Sequence, residues 1–143
     1  MNWKSEAIDR LSRYNAMAQA LEIIPEELAR LKQDAVALQS CRADKIRTSH
    51  SPGASEDRLI ANFIQRDELC HSYKNAKMWM NSTNKALSIL APDEHMILQR
   101  MYISPERGVV QNLCDELGIE QSSVYRKRDQ ALYRFTMALY GAA

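Results

Sequence analysis

Glycine and proline are scarce in this sequence, with four of each among 143 residues. Both residues disfavour the interior of a helix. The residues that favour helices, among them alanine, leucine, glutamate and lysine, are by contrast abundant. The composition therefore predicts an all-α protein.

Cysteine is also scarce, and Cys41, Cys70 and Cys114 are widely separated. An odd number without a CxxC pair argues against a disulfide framework, because such frameworks use dense, even sets of cysteines. Cys70 and His71 are adjacent, but neighbours on a helix point about 100° apart and make a poor chelating pair. We therefore expect reduced thiols, no metal site and no other cofactor.

No apolar run approaches the roughly 18 residues of a membrane helix, and the N-terminus MNWKSEAIDR is charged where a signal peptide would be apolar. We therefore expect a cytoplasmic protein without membrane association. The net charge is only +1, so any surface that binds nucleic acid must be a local patch.

Signatures of catalysis are missing as well. The three histidines, His50, His71 and His95, fall in three different segments. The sequence contains no glycine-rich phosphate loop and no motif of paired carboxylates. We therefore expect that the protein is not an enzyme and has no catalytic residues.

The front of the chain predicts a hairpin of two helices over residues 1–41, separated at Pro25 because proline followed by two acids is typical of a helix start. The polar stretch RADKIRTSHSPGAS, residues 42–55, predicts a flexible linker. Residues 56–90 predict one long helix for oligomerisation or interaction, with the weak helix formers NSTNK as the point where it would break.

Residues 91–143 predict a compact block of short helices. A helix begins at Pro92, SPERG forms a turn, and VVQNLCDELG forms a short helix that Gly118 ends in a left-handed cap. Another helix follows and closes at Gly141. A short helix, a glycine-containing turn and a second helix, with Ile119 and Val124 facing inward, predict a helix-turn-helix.

A helical wheel divides the last helix into two sides. The predicted core side consists of Val124, Ala131, Leu132, Phe135, Ala138 and Leu139. The other side carries amide, hydroxyl, phenol and guanidinium groups near its N-terminal end, which are the groups that contact base edges in the major groove. We predict DNA contacts from Gln121, Ser122, Ser123, Tyr125, Arg126, Lys127 and Gln130.

A solvated face is the alternative interpretation of Arg126, Lys127 and Arg128, because Glu120 and Asp129 partly cancel their charge. Arg128 falls near the core side of the wheel. An ion pair with Asp115, Glu116 or Asp129 is therefore as good an assignment for Arg128 as a contact with DNA.

Two segments, LSILAPDEHMILQRMYI and LCDELGIEQSSVYRKRDQALYRFTMALYG, resemble sigma-factor region four. They resemble more closely the RinA/ArpU-type late transcriptional regulators of bacteriophages and prophages. The resemblance covers roughly residues 86–141 and implies promoter binding and late-gene activation in a bacterial host. It implies base contacts from Gln121, Ser122, Tyr125 and Arg126. The sequence departs from the sigma pattern at Lys127, usually apolar, and at Glu120, usually serine or threonine.

The favoured function is a sequence-specific transcriptional regulator that binds double-stranded promoter DNA and forms a homo-oligomer, contacts RNA polymerase, or does both. One alternative is a small terminase subunit that recognises a packaging site. Another is a helical interaction factor that contacts RNA polymerase without reading DNA. The same organisation predicts that the chain without residues 1–85 still folds and binds DNA, although more weakly.

Overall fold

The computed structural model describes residues 2–46 and 52–141. These residues are all-α and include no strand, which confirms the predicted fold class. The helices are α1 (Trp3–Ser12), α2 (Tyr14–Ile46), α3 (Pro52–Ser88), α4 (Pro92–Leu98), α5 (Val109–Leu117) and α6 (Gln121–Tyr140). A π-helical turn, Gln99–Ile103, continues α4.

The first helical break lies at Arg13 and not at the predicted position, Pro25. The prediction was wrong because Pro25 is exposed inside α2, where its ring meets solvent and the helix forgoes one hydrogen bond. Arg13 has φ −85° and ψ −8°, away from the usual helical ψ of about −42°, and its N–H is shared between the Asp9 and Arg10 carbonyls. The Ser12 hydroxyl donates to the Ile8 carbonyl at 2.8 Å, a bond that often bends helices.

The predicted linker, residues 42–55, is helical at both of its ends. Helix α2 continues to Ile46 and α3 begins at Pro52, while residues 47–51 lie outside the described residues. Polar side chains are compatible with a helix, and proline suits the first position of one. The linker was predicted from polar composition alone, so its predicted bounds were wrong.

Helix α3 runs unbroken through NSTNK, the segment where a break was expected. The hydroxyl of Thr83 is fully buried and donates to the Trp79 carbonyl at 2.8 Å. The same oxygen accepts from Nε of Arg10 on α1 at 2.9 Å. Tertiary contacts thus hold weak helix formers in a helix.

The described residues form two compact units, one of residues 2–18 and 78–141 and the other of residues 19–77. In the first unit, Ala7 and Leu11 of α1 belong to the same core as Leu132 and Phe135 of α6. Helix α1 is therefore part of the unit that contains the C-terminal helices, whereas the prediction grouped it with residues up to 41.

The unit of residues 19–77 has a small core. Among the side chains that the structure describes there, the buried apolar ones are Leu31, Ala35 and Ala76. A polar contact joins its helices, because Nδ2 of the buried Asn62 donates to the Leu31 carbonyl at 2.9 Å. Nε of Arg66 donates to Oδ1 of Asn62 at 2.8 Å and completes this contact.

Candidate nucleic-acid interface

A small apolar cluster fixes α6 beneath α5. Ile97, Leu113 and Val124 are each fully buried in it, and Ile119 packs against it. Val124 thus points inward, as the helical wheel predicts. Since residues one and two positions away from Val124 project in other directions, its burial sets which side chains at the start of α6 face outward.

The turn between α5 and α6 depends on Gly118. Its φ of 65° lies in the left-handed region that favours glycine, and its N–H donates to the Cys114 carbonyl at 2.9 Å. Glu120 then adopts extended backbone as the N-cap of α6 and gives no side-chain cap hydrogen bond. The first backbone amides of α6 therefore receive no acceptor from the cap side chain.

An ion-pair bridge holds α5 to the π-helical turn. The guanidinium of Arg100 binds Glu106 at 2.5 Å and also binds Glu116 of α5. The hydrogen bond from Arg100 lowers the pKa of Glu106 below its usual value. Glu116 is therefore already paired and is not the partner of Arg128, and Asp115 accepts instead from Gln111 at 3.1 Å.

The outward side of the first two turns of α6 is open. Gln121, Ser122 and Arg126 are exposed, and Ser123 and Tyr125 are half-buried. One guanidinium nitrogen of Arg126 donates to the Ser123 hydroxyl at 3.4 Å, a long and weak bond. Arg126 has no carboxylate partner among the described residues, so its charge is available to a ligand.

The two cations that follow Arg126 are already paired. Lys127 binds the Asp93 carboxylate of α4, and its hydrogen bond is the main reason that the pKa of Asp93 is lowered. Arg128 binds Asp129 at 2.9 Å and lies 4.9 Å over the Tyr125 ring. Arg128 thus forms one of the ion pairs considered from the sequence, and Lys127 would have to leave Asp93 to reach a phosphate.

Helix α1 contacts the outward side of α6 beyond its first two turns, where Gln130 and Tyr133 stay exposed. Trp3 meets the Tyr133 ring edge-on with centroids 5.9 Å apart, and Nζ of Lys4 lies 3.1 Å from Asp129. Partial burial raises the pKa of Asp129, but hydrogen bonds from Lys4 and Arg128 outweigh it and leave that pKa lowered. A helical wheel gives no partner for this part of α6, so the contact with α1 was not predicted from the sequence.

An open groove of ≈ 670 Å³ lies between the start of α1 and α6. Gln130 is exposed and lines this groove, next to the open side chain of Arg126. Sequence reasoning did not connect Trp3 and Lys4 with this region. The available signal was the spacing of Trp3, Ala7 and Leu11, which makes α1 amphipathic and in need of a partner.

The core side of α6 departs from the wheel at two positions. Val124, Ala131, Leu132 and Phe135 are fully buried, as predicted. Ala138 is exposed instead, because it lies in the last turns, and Thr136 is buried with its hydroxyl donating to the Leu132 carbonyl at 2.8 Å. A local hydrogen bond therefore lets a polar residue occupy the core side.

Most of the positive charge of α6 is neutralised within the protein. The helix contains four basic residues and one acid. The fourth basic residue, Arg134, binds Glu94 at 2.6 Å, and Glu94 is only 4% exposed. Together with the pairs of Lys127 and Arg128, this leaves Arg126 as the cation of α6 without a carboxylate partner.

Other kinds of site have little support in the described part of the chain. No group of three or more histidine, cysteine, aspartate and glutamate side chains there is arranged to hold a metal ion. Cys41, Cys70 and Cys114 are free thiols. Within residues 2–46 and 52–141, no helix has both the length and the apolar character needed to cross a bilayer.

Comparison of the chain with protein-family models, with curated proteins and with solved structures gives no match. The α5–α6 region is the candidate site, because a glycine turn and a buried valine there present a polar helix end.

Proposed function

We propose that the protein is a sequence-specific regulator of transcription that binds double-stranded DNA. In this proposal α5 and α6 form a helix-turn-helix, and the first two turns of α6 enter the major groove. The main support for this proposal is that Val124 is fully buried while Gln121, Ser122 and Arg126 beside it are exposed. A helix held from beneath with a polar N-terminal end outward is the arrangement that groove reading requires.

The exposed groups suit the edges of bases. An arginine such as Arg126 can bind guanine O6 and N7 with two hydrogen bonds, and Gln121 can bind adenine N6 and N7 in the same way. The hydroxyls of Ser122 and Ser123 can bind either a hydrogen-bond donor or an acceptor on a base edge. Tyr125 would contact the groove in a fixed orientation, because the Arg128 guanidinium lies over its ring.

Contacts with the DNA backbone would flank this tip. The uncapped amides at the start of α6 can donate to a phosphate, which the positive end of the helix dipole also favours. Gln130 lies one turn further along α6, in the open groove beside α1, and could contact a phosphate. Lys127 could do so only by leaving Asp93 of α4. These contacts would position α6 without selecting a sequence.

The type of regulator follows from the resemblance over residues 86–141. We propose a RinA/ArpU-type activator of phage or prophage late genes that acts at a promoter in a bacterial host. Contact with RNA polymerase and self-association belong to the same proposal. What supports it is the polar tip of α6, whose exposed residues are those that the resemblance assigns to base contacts.

The test selects duplexes from a random pool with the full-length protein and then compares Arg126→Ala with wild type. Loss of a bidentate base contact should weaken binding of the selected duplex by about 5- to 150-fold, since such a pair contributes about 1–3 kcal/mol. Arg58→Ala is the control, because Arg58 is an exposed arginine in the other unit. Circular dichroism should be unchanged in both variants. Equal binding by Arg126→Ala and wild type would contradict the proposed contact.

A second candidate function is a helical interaction factor that contacts RNA polymerase without reading DNA. The observation that favours it is the internal pairing of Lys127, Arg128 and Arg134, which leaves little charge for phosphates. Salt dependence separates the two functions. Each phosphate contact adds about 0.9 to the slope of log affinity against log salt concentration, whereas a protein that ignores DNA enriches no duplex.

A further inference from the structure

The outer side of α3 carries an apolar patch that the proposed DNA contact does not use. Ile60, Phe63 and Ile64 are 58%, 63% and 50% exposed. The inner side of α3 is marked by Asn62, which is buried and bonded to α2 through the Leu31 carbonyl. Ile60 and Ile64 each lie two residues from Asn62, so they point away from α2.

The patch continues as a stripe of exposed charged side chains. Asp67, His71 and Lys74 follow Ile60 and Ile64 at three- and four-residue steps, and all of them are exposed. Asp67 and His71 already lie together, with their side chains 3.5 Å apart. We call Ile60, Phe63, Ile64, Asp67, His71 and Lys74 the α3 stripe.

The stripe stays exposed among the described residues of its unit. Those described residues of the 19–77 range bury few apolar side chains, and both helices already use one side for that small core. Adjacent exposed apolar residues of this size on a soluble helix are typical of an association surface. A partner helix laid along α3 would cover Ile60, Phe63 and Ile64 together.

We propose that a second copy of the chain covers the α3 stripe, with the two α3 helices antiparallel about a two-fold axis near Cys70 and His71. The order of charges along the stripe favours a second copy of the chain as the partner, and an antiparallel arrangement of the two α3 helices. The axis places Asp67 of each copy opposite Lys74 of the other, so two equivalent ion pairs form. A parallel pair would place Asp67 against Asp67 and Lys74 against Lys74, which repels.

The same axis provides an apolar contact for Phe63. It places Phe63 opposite Met78 of the second copy, and Met78 is itself 69% exposed. A methionine sulfur against an aromatic ring is a favourable contact. The charges at the centre thus set direction and register, and the apolar residues on either side supply buried area. None of these contacts involves the α5–α6 region, so the dimer would form whether or not the protein binds DNA.

The first test measures the molar mass of the full-length protein in solution without DNA. Wild type should have the mass of two copies, and Phe63→Asp should weaken the dimer by about 30-fold or more, as loss of a buried aromatic contact does. Val36→Asp is the control, because Val36 is equally exposed at 63% but lies on α2 outside the stripe. A single copy at all concentrations, or a ring of more than two copies, would overturn the proposal.

The second test addresses direction and uses exposed residues whose replacement leaves the core intact. Asp67→Lys alone and Lys74→Asp alone should each weaken the dimer, because each change sets like charges opposite each other. The double variant that carries both changes should recover the wild-type dimer, since opposite charges face each other again. If the double variant stays as weak as the single variants, the antiparallel register is refuted.

Discussion

Replacing Leu11 by alanine tests whether α1 belongs to the C-terminal unit. Leu11 is 0% exposed and lies in the core with Leu132 and Phe135. If this packing holds, Leu11→Ala leaves a cavity under α6, even though Leu11 is more than 100 residues from that helix in sequence. A separate N-terminal hairpin, as the sequence predicted, would instead leave the C-terminal unit unaffected.

The expected loss of stability follows from the atoms removed. Leucine to alanine removes three carbons, and their transfer from water contributes about 2 kcal/mol at about 0.8 kcal/mol per carbon. The cavity adds to this, so full burial predicts a total loss of about 3 to 5 kcal/mol. Domains of ordinary size have unfolding free energies of about 5–15 kcal/mol, so the loss would be a large fraction of the total.

Urea unfolding followed by tryptophan fluorescence is the appropriate assay. The chain has two tryptophans, Trp3 and Trp79, and both lie in the unit that contains Leu11. The control is Ile89→Ala, since Ile89 is in the same unit but 61% exposed and should change stability by only about 0.5 kcal/mol. An unchanged unfolding midpoint for Leu11→Ala would show that α1 does not pack in this core.

Two further predictions concern an ion pair and a turn. Lys127 lowers the pKa of Asp93, so wild type should have a larger unfolding free energy than Asp93→Asn at neutral pH. The difference should be about 1 kcal/mol or less, because the pair is partly exposed. This difference should disappear as pH falls below the range in which aspartate ordinarily titrates. Chemical denaturation of both proteins at several pH values measures it, and a difference that stays constant with pH would contradict the prediction. Gly118→Ala forces a side chain to φ 65° and should lower the unfolding free energy by about 1–2 kcal/mol, while Gly53→Ala within α3 should raise it by about 0.5–1 kcal/mol. Thermal unfolding by circular dichroism measures both, and equal effects would refute the conformational argument.

Local patterns predicted the C-terminal helices well. Pro92 begins α4, Gly118 ends α5, and Val124 is buried one turn into α6. Each of these depends on backbone conformation or on helical periodicity within a few residues. Such preferences are present in the sequence itself and act before any distant contact forms.

Features that depend on distant contacts were not predictable in the same way. The partner of Lys127 is Asp93, 34 residues earlier, and the partner of Asp129 is Lys4 at the other end of the chain. A wheel shows the direction of each side chain but not what it meets. The break at Arg13 has no glycine or proline to mark it, and the single serine before it, Ser12, does not by itself predict a bend.

The internal ion pairs of α6 limit the affinity for DNA that one copy of the protein could reach. The proposal assigns Arg126 to a base, and the other cations of α6 are paired within the protein, so α6 of one copy would gain little from counterion release. Two copies joined through α3 would present two α6 helices at once, and the second would bind as an intramolecular event. A dimer-breaking change at Phe63 should therefore weaken binding of a duplex with two half-sites far more than binding of one half-site. Equal losses on both duplexes would separate the two proposals and leave the dimer without a role in DNA binding.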